Sequence, residues 1–215
     1  MKTVLIVASG TPPADARLRE FSARAGYVIA ADGGGASLTR AGVTPDLVIG
    51  DLDSLPPPER DRLEALRVEI HAHPNDKDAT DLELAVDRAL AMRPNRVWIT
   101  GVLGGPRTDH AVAAVLLLEK LLIEGVPAAI LGDVERLELI DRHFGLSDAA
   151  VGDTVSLLPI SEEVTGIHTS GLRYRLANGR LRRAGSRGIS NVVDALPVRV
   201  DIATGRLLVV HRLRD

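Results

Sequence analysis

The sequence predicts an α/β domain built on a parallel sheet, followed by a small antiparallel β domain. Three observations predict it. From residue 1 to about 132, short apolar runs alternate with helical patterns. Repeated β-α units of that kind make a parallel sheet covered by helices on both faces. After about residue 145 the texture changes to short segments of alternating polarity, with turn signals between them. No long linker, repeat or low-complexity segment intervenes.

The predicted elements run as follows. Thr3–Ala8 is a short apolar strand; its run is at the short end of the roughly 7–15 residues of a signal-peptide core, so a buried first strand is the expected reading. Further strands are predicted at Tyr27–Ala31, Leu47–Gly50, Val68–His71, Val97–Thr100 and Ala128–Leu131. Helices are predicted at Ala14–Ala25, Ala36–Ala41, Pro58–Leu66, Asp81–Met92 and His110–Ile123. In the second half the expected strands are Thr154–Leu158, Gly171–Leu176, Arg180–Ala184 and Val198–Val210, the last divided by the turn Ala203-Thr204-Gly205-Arg206. Arginines crowd residues 173–187, and the alternation of Leu172-Arg173-Tyr174-Arg175-Leu176 points to a solvated arginine face.

Composition narrows the function classes. The chain has 215 residues, 45% hydrophobic but only 2% aromatic, so its core is built from Ala, Val, Leu and Ile. A net charge of -3 argues against a nucleic-acid-coating protein. The absence of cysteine excludes disulfides, zinc thiolates and a cysteine nucleophile, and fits a cytoplasmic protein. No apolar run approaches the roughly 20 residues that span a bilayer, so no membrane association is expected.

Three clusters carry candidate chemistry. In Pro45-Asp46-Leu47-Val48-Ile49-Gly50-Asp51-Leu52-Asp53-Ser54, an apolar strand delivers two carboxylates one residue apart. If the extended geometry continues, Asp51 and Asp53 project the same way, and like charges held that close call for a cation between them. Mg²⁺ takes oxygen ligands from one or two carboxylates plus phosphates. The second cluster, Asn75-Asp76-Lys77-Asp78-Ala79-Thr80-Asp81-Leu82-Glu83, opens a helix. Thr80 and Glu83 fit a capping box. Lys77 beside a helix start suits a phosphate, and the surrounding aspartates suit a shared cation, so metal-bound polyphosphate is the expected ligand.

The third cluster, Gly101-Val102-Leu103-Gly104-Gly105-Pro106-Arg107-Thr108-Asp109-His110, joins a strand to an apolar helix. Gly104 and Gly105 permit positive φ and close approach to a ligand. Arg107 offers a planar fork for phosphate oxygens, while Asp109 could simply cap the helix. Gly33-Gly34-Gly35 after Asp32 opens another helix, yet no dinucleotide fingerprint or Walker A loop occurs anywhere. Any nucleotide site here is built differently.

Taken in order, these clusters resemble the thiamine pyrophosphokinase family. The resemblance rests on Asp32-Gly33-Gly34, on Pro45 to Ser54, on Asn75 to Glu83, and on Gly104-Gly105 with Arg107, Asp109 and His110. Gly171-Leu172-Arg173-Tyr174 and Gly188-Ile189-Ser190-Asn191 extend it into the second half. Two positions depart: Pro106 stands before Arg107, and Val192 follows Asn191 where an acidic residue is usual.

The resemblance implies an α/β ATP- and metal-binding catalytic domain over residues 1–140. A β-sandwich that binds thiamine and dimerises would occupy residues 145–215. It implies a Mg²⁺-dependent transfer of the pyrophosphoryl group of ATP to the hydroxyl of thiamine, with AMP released, by a homodimer. Asp51, Asp53 and Asp81 would hold the metal. Asp32, Gly33, Gly34, Asp78, Thr80, Gly104 and Gly105 would form the ATP site, with Lys77 and Arg107 on the phosphate chain. Asp109, Tyr174, Ser190 and Asn191 would shape the thiamine pocket, and either Asp109 or Asp81 could accept the hydroxyl proton.

Three alternatives stand beside this reading. The acceptor could be another small heteroaromatic alcohol such as a pterin. Asp51 could be the nucleophile of a metal-dependent phosphatase. A non-catalytic nucleotide-binding regulator would not need Asp51, Asp53, Lys77, Asp81 and Arg107 together.

Overall fold

The computed structural model describes residues 3–51, 57–74, 76 and 78–214. Two compact units divide at Asp133/Val134.

The first unit alternates strand and helix throughout. Its strands are β1 (Thr3–Val7), β2 (Tyr27–Ala31), β3 (Leu47–Gly50), β4 (Glu69–Ala72), β5 (Arg96–Thr100) and β6 (Ala128–Leu131). Its helices are α1 (Asp15–Arg24), α2 (Gly34–Arg40), α3 (Pro57–Ala65), α4 (Asp81–Ala91) and α5 (Thr108–Ile123). The strands pair in parallel in the order β6-β5-β1-β2-β3-β4. Period-two alternation sends Leu5, Val7, Val28, Val48 and Trp98 to one face, where they form a core with Leu18 and Phe21 of α1, Leu38 of α2 and Leu63 of α3. Their strand neighbours Val4, Ile6, Ile29 and Ile99 are also fully buried. The helices α4, against β1 to β3, and α5, against β6, cover them. The sheet is thus buried on both sides, which is why its strands read as continuous apolar runs.

Local chemistry sets the helix bounds. α4 starts where Thr80 turns extended, its hydroxyl accepting the Glu83 N–H at 3.2 Å. The expected capping box forms only by half, because the Glu83 carboxylate pairs with Lys120 at 3.2 Å. α2 begins two residues earlier than predicted. Gly34 packs so tightly on β1 that a Cβ there would stand 1.9 Å from the Val7 carbonyl oxygen.

The second unit holds two antiparallel sheets. One has the order β12-β9-β14-β7, from β7 (Glu135–Ile140), β9 (Thr154–Pro159), β12 (Asn191–Val192) and β14 (Leu207–Arg212). The other has the order β11-β10-β13-β8, from β8 (His143–Leu146), β10 (Glu163–Ser170), β11 (Gly179–Arg182) and β13 (Val198–Asp201). Their inner faces share one core that includes Phe144, Val155, Val164, Leu181, Val200 and Leu207. That is a sandwich.

Several strand expectations are corrected here. Gly171–Leu176 is not a strand: only Leu172 bridges, to Val193, and the chain then loops back to Thr169 through Leu176. Its alternation fails accordingly, with Leu172 fully buried and Tyr174 67% exposed. The expected division of Val198–Val210 by the Ala203–Arg206 turn is observed, as strands Val198–Asp201 and Leu207–Arg212. Four strands were not expected from the sequence: β7, β8, β10 and the two-residue β12. In β10 the register shifts between Thr165 and Ile167, at Gly166 with φ +65°, so Val164 and Ile167 are both buried three residues apart. A bulge of this kind hides a strand from period-two counting. In β7, Arg136 and Glu138 pair with each other on one face while Leu137 and Leu139 are buried on the other.

Candidate active site

Strand order reverses beside β1. The chain runs outward through β2, β3 and β4, then returns to place β5 on the other side of β1. Loops leaving the carboxyl ends of β1 and β5 therefore diverge, and open α/β sheets bind ligands in that crevice. A cavity of about 520 Å³ opens there. The two loops are stitched at its floor by Ala8 N–H to Thr100 O at 2.9 Å and Gly10 N–H to Gly101 O at 2.8 Å. A Cβ on Gly10 would stand 2.5 Å from the Gly101 carbonyl oxygen, so the closeness requires glycine. Ser9 and Gly10 line the cavity and were not among the residues expected at the site. The available signal was the Ser9-Gly10 pair shortly after the first strand.

Asp32, Asp51 and Asp81 converge beside this crevice. Asp32 follows β2, Asp51 follows β3, and Asp81 opens α4 after β4. One carboxylate oxygen from each lies within 4.8 Å of the others. Gly50 makes the approach possible: it borders Asp51 and lies against the Asp32 backbone, whose N–H donates to Ile49 O at 2.8 Å. Asp32 Oδ1 is buried with no hydrogen-bond partner. A buried, unpartnered carboxylate oxygen is costly, and a hard divalent cation is the ligand that a convergent all-oxygen set fits. Of the residues expected to hold metal, Asp51 and Asp81 are brought together, joined by Asp32. Asp53 and Lys77 lie outside the described residues.

The turn after β5 lines the same cavity. Gly104 and Gly105 adopt φ of +73° and +86°, the backbone that non-glycine residues resist. Arg107 lines the cavity beside Pro106 and closes a two-pronged ion pair on Asp109, Nε to Oδ1 at 3.0 Å and Nη2 to Oδ2 at 2.7 Å. The Arg107 hydrogen bonds hold the Asp109 carboxyl down at about 2. Asp109 is therefore ionised throughout the physiological range and weakly basic, a poor match for a proton acceptor. Thr80 and Asp81 reach the cavity, whereas Gly33, Gly34 and the exposed Asp78 are not on its wall.

In the second unit, Tyr174 is exposed, Ser190 is exposed with φ +57°, and Asn191 is buried. The Ser190 N–H donates to Ser156 Oγ at 3.0 Å.

Comparison with known proteins agrees with this architecture. The family described as thiamin pyrophosphokinase, catalytic domain, matches residues 18–130. The family described as thiamin pyrophosphokinase, vitamin B1 binding domain, matches residues 142–207. A thiamine pyrophosphokinase of Bacillus subtilis is 30% identical over 221 residues, covering 98% of this chain and 99% of its own. A crystal structure of thiamine pyrophosphokinase from Bacillus subtilis superposes with a TM-score of 0.90 at 26% identity, covering both chains fully at 100%. That of the Geobacillus thermodenitrificans protein gives 0.84 at 26% identity, covering 99% of this chain and 98% of that one. Two family matches in chain order, and likeness along nearly the whole length, establish that this chain belongs to the thiamine pyrophosphokinase family.

Proposed function

We propose that the protein transfers the pyrophosphoryl group of ATP to the hydroxyl of thiamine in a Mg²⁺-dependent reaction, giving thiamine diphosphate and AMP. The observation that carries the reading is the convergence of Asp32, Asp51 and Asp81 beside a cavity that Asp32, Asp81 and Arg107 line together. Asp51, Asp81 and Asp32, with Asp53, would hold the metal, and Mg²⁺ bound there would neutralise polyphosphate oxygens. Arg107 and Lys77 add fixed positive charge for the same oxygens. Gly104 and Gly105 bring backbone close to the phosphates, and Gly33, Gly34, Asp78 and Thr80 complete the nucleotide set as the family resemblance implies.

Chemistry of this kind needs positioning and charge neutralisation more than covalent help. The thiamine hydroxyl oxygen bonds to the β-phosphorus as the bond from that phosphorus to the α,β-bridging oxygen breaks. AMP departs with the bridging oxygen, and the hydroxyl proton leaves to a carboxylate or to water. Of the two proton-acceptor candidates, Asp81 and Asp109, the second is disfavoured, since Arg107 holds it ionised and weakly basic. As the family resemblance implies, exposed Asp109 of the first unit, and exposed Tyr174 and Ser190 with buried Asn191 of the second, would serve thiamine binding, directly or by positioning.

The first unit serves as the catalytic domain and the second as the acceptor-binding and dimerising domain; the vitamin B1 binding family match over residues 142–207 supports that division. We place the protein in the cytoplasm as a homodimer. No helix among the described residues is long and apolar enough to cross a membrane, and the chain has no cysteine. Incubation with ATP, Mg²⁺ and thiamine tests the activity. AMP and thiamine diphosphate are expected in equal amounts; ADP or inorganic phosphate as the main product rejects it. Sedimentation equilibrium tests the dimer, and a monomer at micromolar concentration rejects it.

A further inference from the structure

Asn191 is 7% exposed, and its side-chain amide is almost entirely committed. Oδ1 accepts the Tyr174 N–H at 2.9 Å and the Val192 N–H at 2.9 Å. Nδ2 donates to the Tyr174 carbonyl oxygen at 2.8 Å. Of the four hydrogen bonds an amide side chain can make, three are used inside the protein.

These bonds continue a ladder. Leu172 and Val193 form an antiparallel bridge, and the Arg173 N–H donates to Val192 O at 2.9 Å. At the next position the two segments no longer pair through their backbones. The Asn191 amide takes both the N–H and the C=O of Tyr174, as a facing strand residue would. Asn191 is itself anchored, since β12 pairs with β9 through Asn191–Val155 and Val192–Thr154. The Val193 N–H donates to Asp153 O at 2.8 Å.

Tyr174 thus has a fixed backbone and a ring that is 67% exposed. Core packing does not hold the ring in place; the amide of Asn191 fixes its point of attachment. A rigid aromatic presented in this way loses little entropy when a planar ligand stacks on it.

We propose that Asn191 is a positioning residue for the acceptor, acting through the backbone of Tyr174 rather than by touching thiamine. The inference rests on the reading above that Tyr174 belongs to the thiamine-binding set, where its exposed ring would stack on the planar acceptor. It divides the Ser190-Asn191 pair: exposed Ser190 is the member left for direct contact, and buried Asn191 orders the aromatic.

A double-mutant cycle on the full-length enzyme tests this. Asn191→Ala removes all three bonds, and Asn191→Asp keeps both acceptor bonds while losing the donor. Each is expected to raise the thiamine KM about 2–10-fold, Asn191→Asp because its second carboxylate oxygen would face the Tyr174 carbonyl oxygen, with kcat and the ATP KM nearly unchanged. In a Tyr174→Ala background neither substitution should raise the thiamine KM further, because no ring remains to be positioned. Additive losses overturn the proposal by making Asn191 a direct contact. Equal losses toward ATP and thiamine, or loss of fold in both Asn191 variants, overturn it by making Asn191 a general fold residue. A wild-type enzyme that fails to convert thiamine rejects the underlying function, an outcome distinct from an active enzyme with an additive cycle.

Discussion

Gly50 lies against the backbone of Asp32: a Cβ at Gly50 would meet the Cα of Asp32 at 3.1 Å and its Cβ at 3.2 Å. Asp32 itself stands at φ +49°. This contact lets carboxylates from two adjacent strand ends, Asp32 and Asp51, share one site.

Gly50→Ala is accordingly expected to damage function through geometry. The added methyl must displace Asp32, an overpacking that costs about 1–3 kcal/mol. The expected outcome is a folded protein with a lower Tm and a several-fold higher Mg²⁺ requirement. Activity titrated against Mg²⁺, alongside thermal melts, checks it; an unchanged Mg²⁺ requirement contradicts the contact's role.

Neutralising the carboxylates should separate function from stability. Asp51→Asn, Asp53→Asn and Asp81→Asn are each expected to abolish turnover. Without Mg²⁺ the Tm of the Asp51 and Asp81 variants should hold or rise, since the like charges of Asp32, Asp51 and Asp81, with oxygens within 4.8 Å of one another, repel. Added Mg²⁺ should raise the wild-type Tm and leave the variants unmoved. Full activity in any of the three, or turnover in a chelator, contradicts the metal assignment.

Arg107 and Lys77 should act on the phosphates. Arg107→Ala and Lys77→Ala are expected to weaken ATP binding roughly tenfold to a hundredfold, the scale of one charge-assisted hydrogen bond. Because Arg107 is already paired with Asp109, Asp109→Asn should loosen Arg107 without removing its charge. Its ATP affinity should therefore fall less than that of Arg107→Ala. Calorimetric titration with ATP decides the order, and normal affinity in both alanine variants rejects the site.

A pH-dependent stability term resides in the second unit. Burial alone would raise the Asp153 carboxyl, but hydrogen bonds from Ala150 N–H, His211 and Arg214 N–H outweigh it and hold it below the usual range. A carboxyl depressed in the folded state contributes stability above its unfolded value of about 3.9 and loses it as pH falls through the folded value. Wild-type melts should therefore steepen in their pH dependence below about pH 4. Asp153→Asn should flatten that limb. It should also cost about 1–3 kcal/mol at neutral pH, by weakening the buried contact to His211 at 2.9 Å. Parallel pH profiles for the two proteins contradict the assignment.

The parallel sheet was legible in the sequence because strands buried on both faces must be apolar throughout, and runs such as Leu47–Gly50 say so locally. The same holds for the start of α4, where Thr80 caps through a side chain three residues from its partner N–H. Asp51 and Asp81 were legible because strand ends and helix starts are read from neighbouring residues. Local pattern could not supply proximity across distance. Asp32 lies far from Asp81 in sequence, and only strand order brings their oxygens together. Ser9 and Gly10 enter the site because β5 returns beside β1, a choice of topology with no local signal.

In the second unit, alternation implied that Tyr174 shares the inward side of Leu172 and Leu176. The backbone ladder ends after Arg173, where the Asn191 amide takes the Tyr174 backbone bonds that a strand would have made, and the ring faces outward. Residue types and their local order set which elements form and which side chains can do chemistry. Hydrogen bonding between segments distant in sequence decided which of those side chains meet and which way they face.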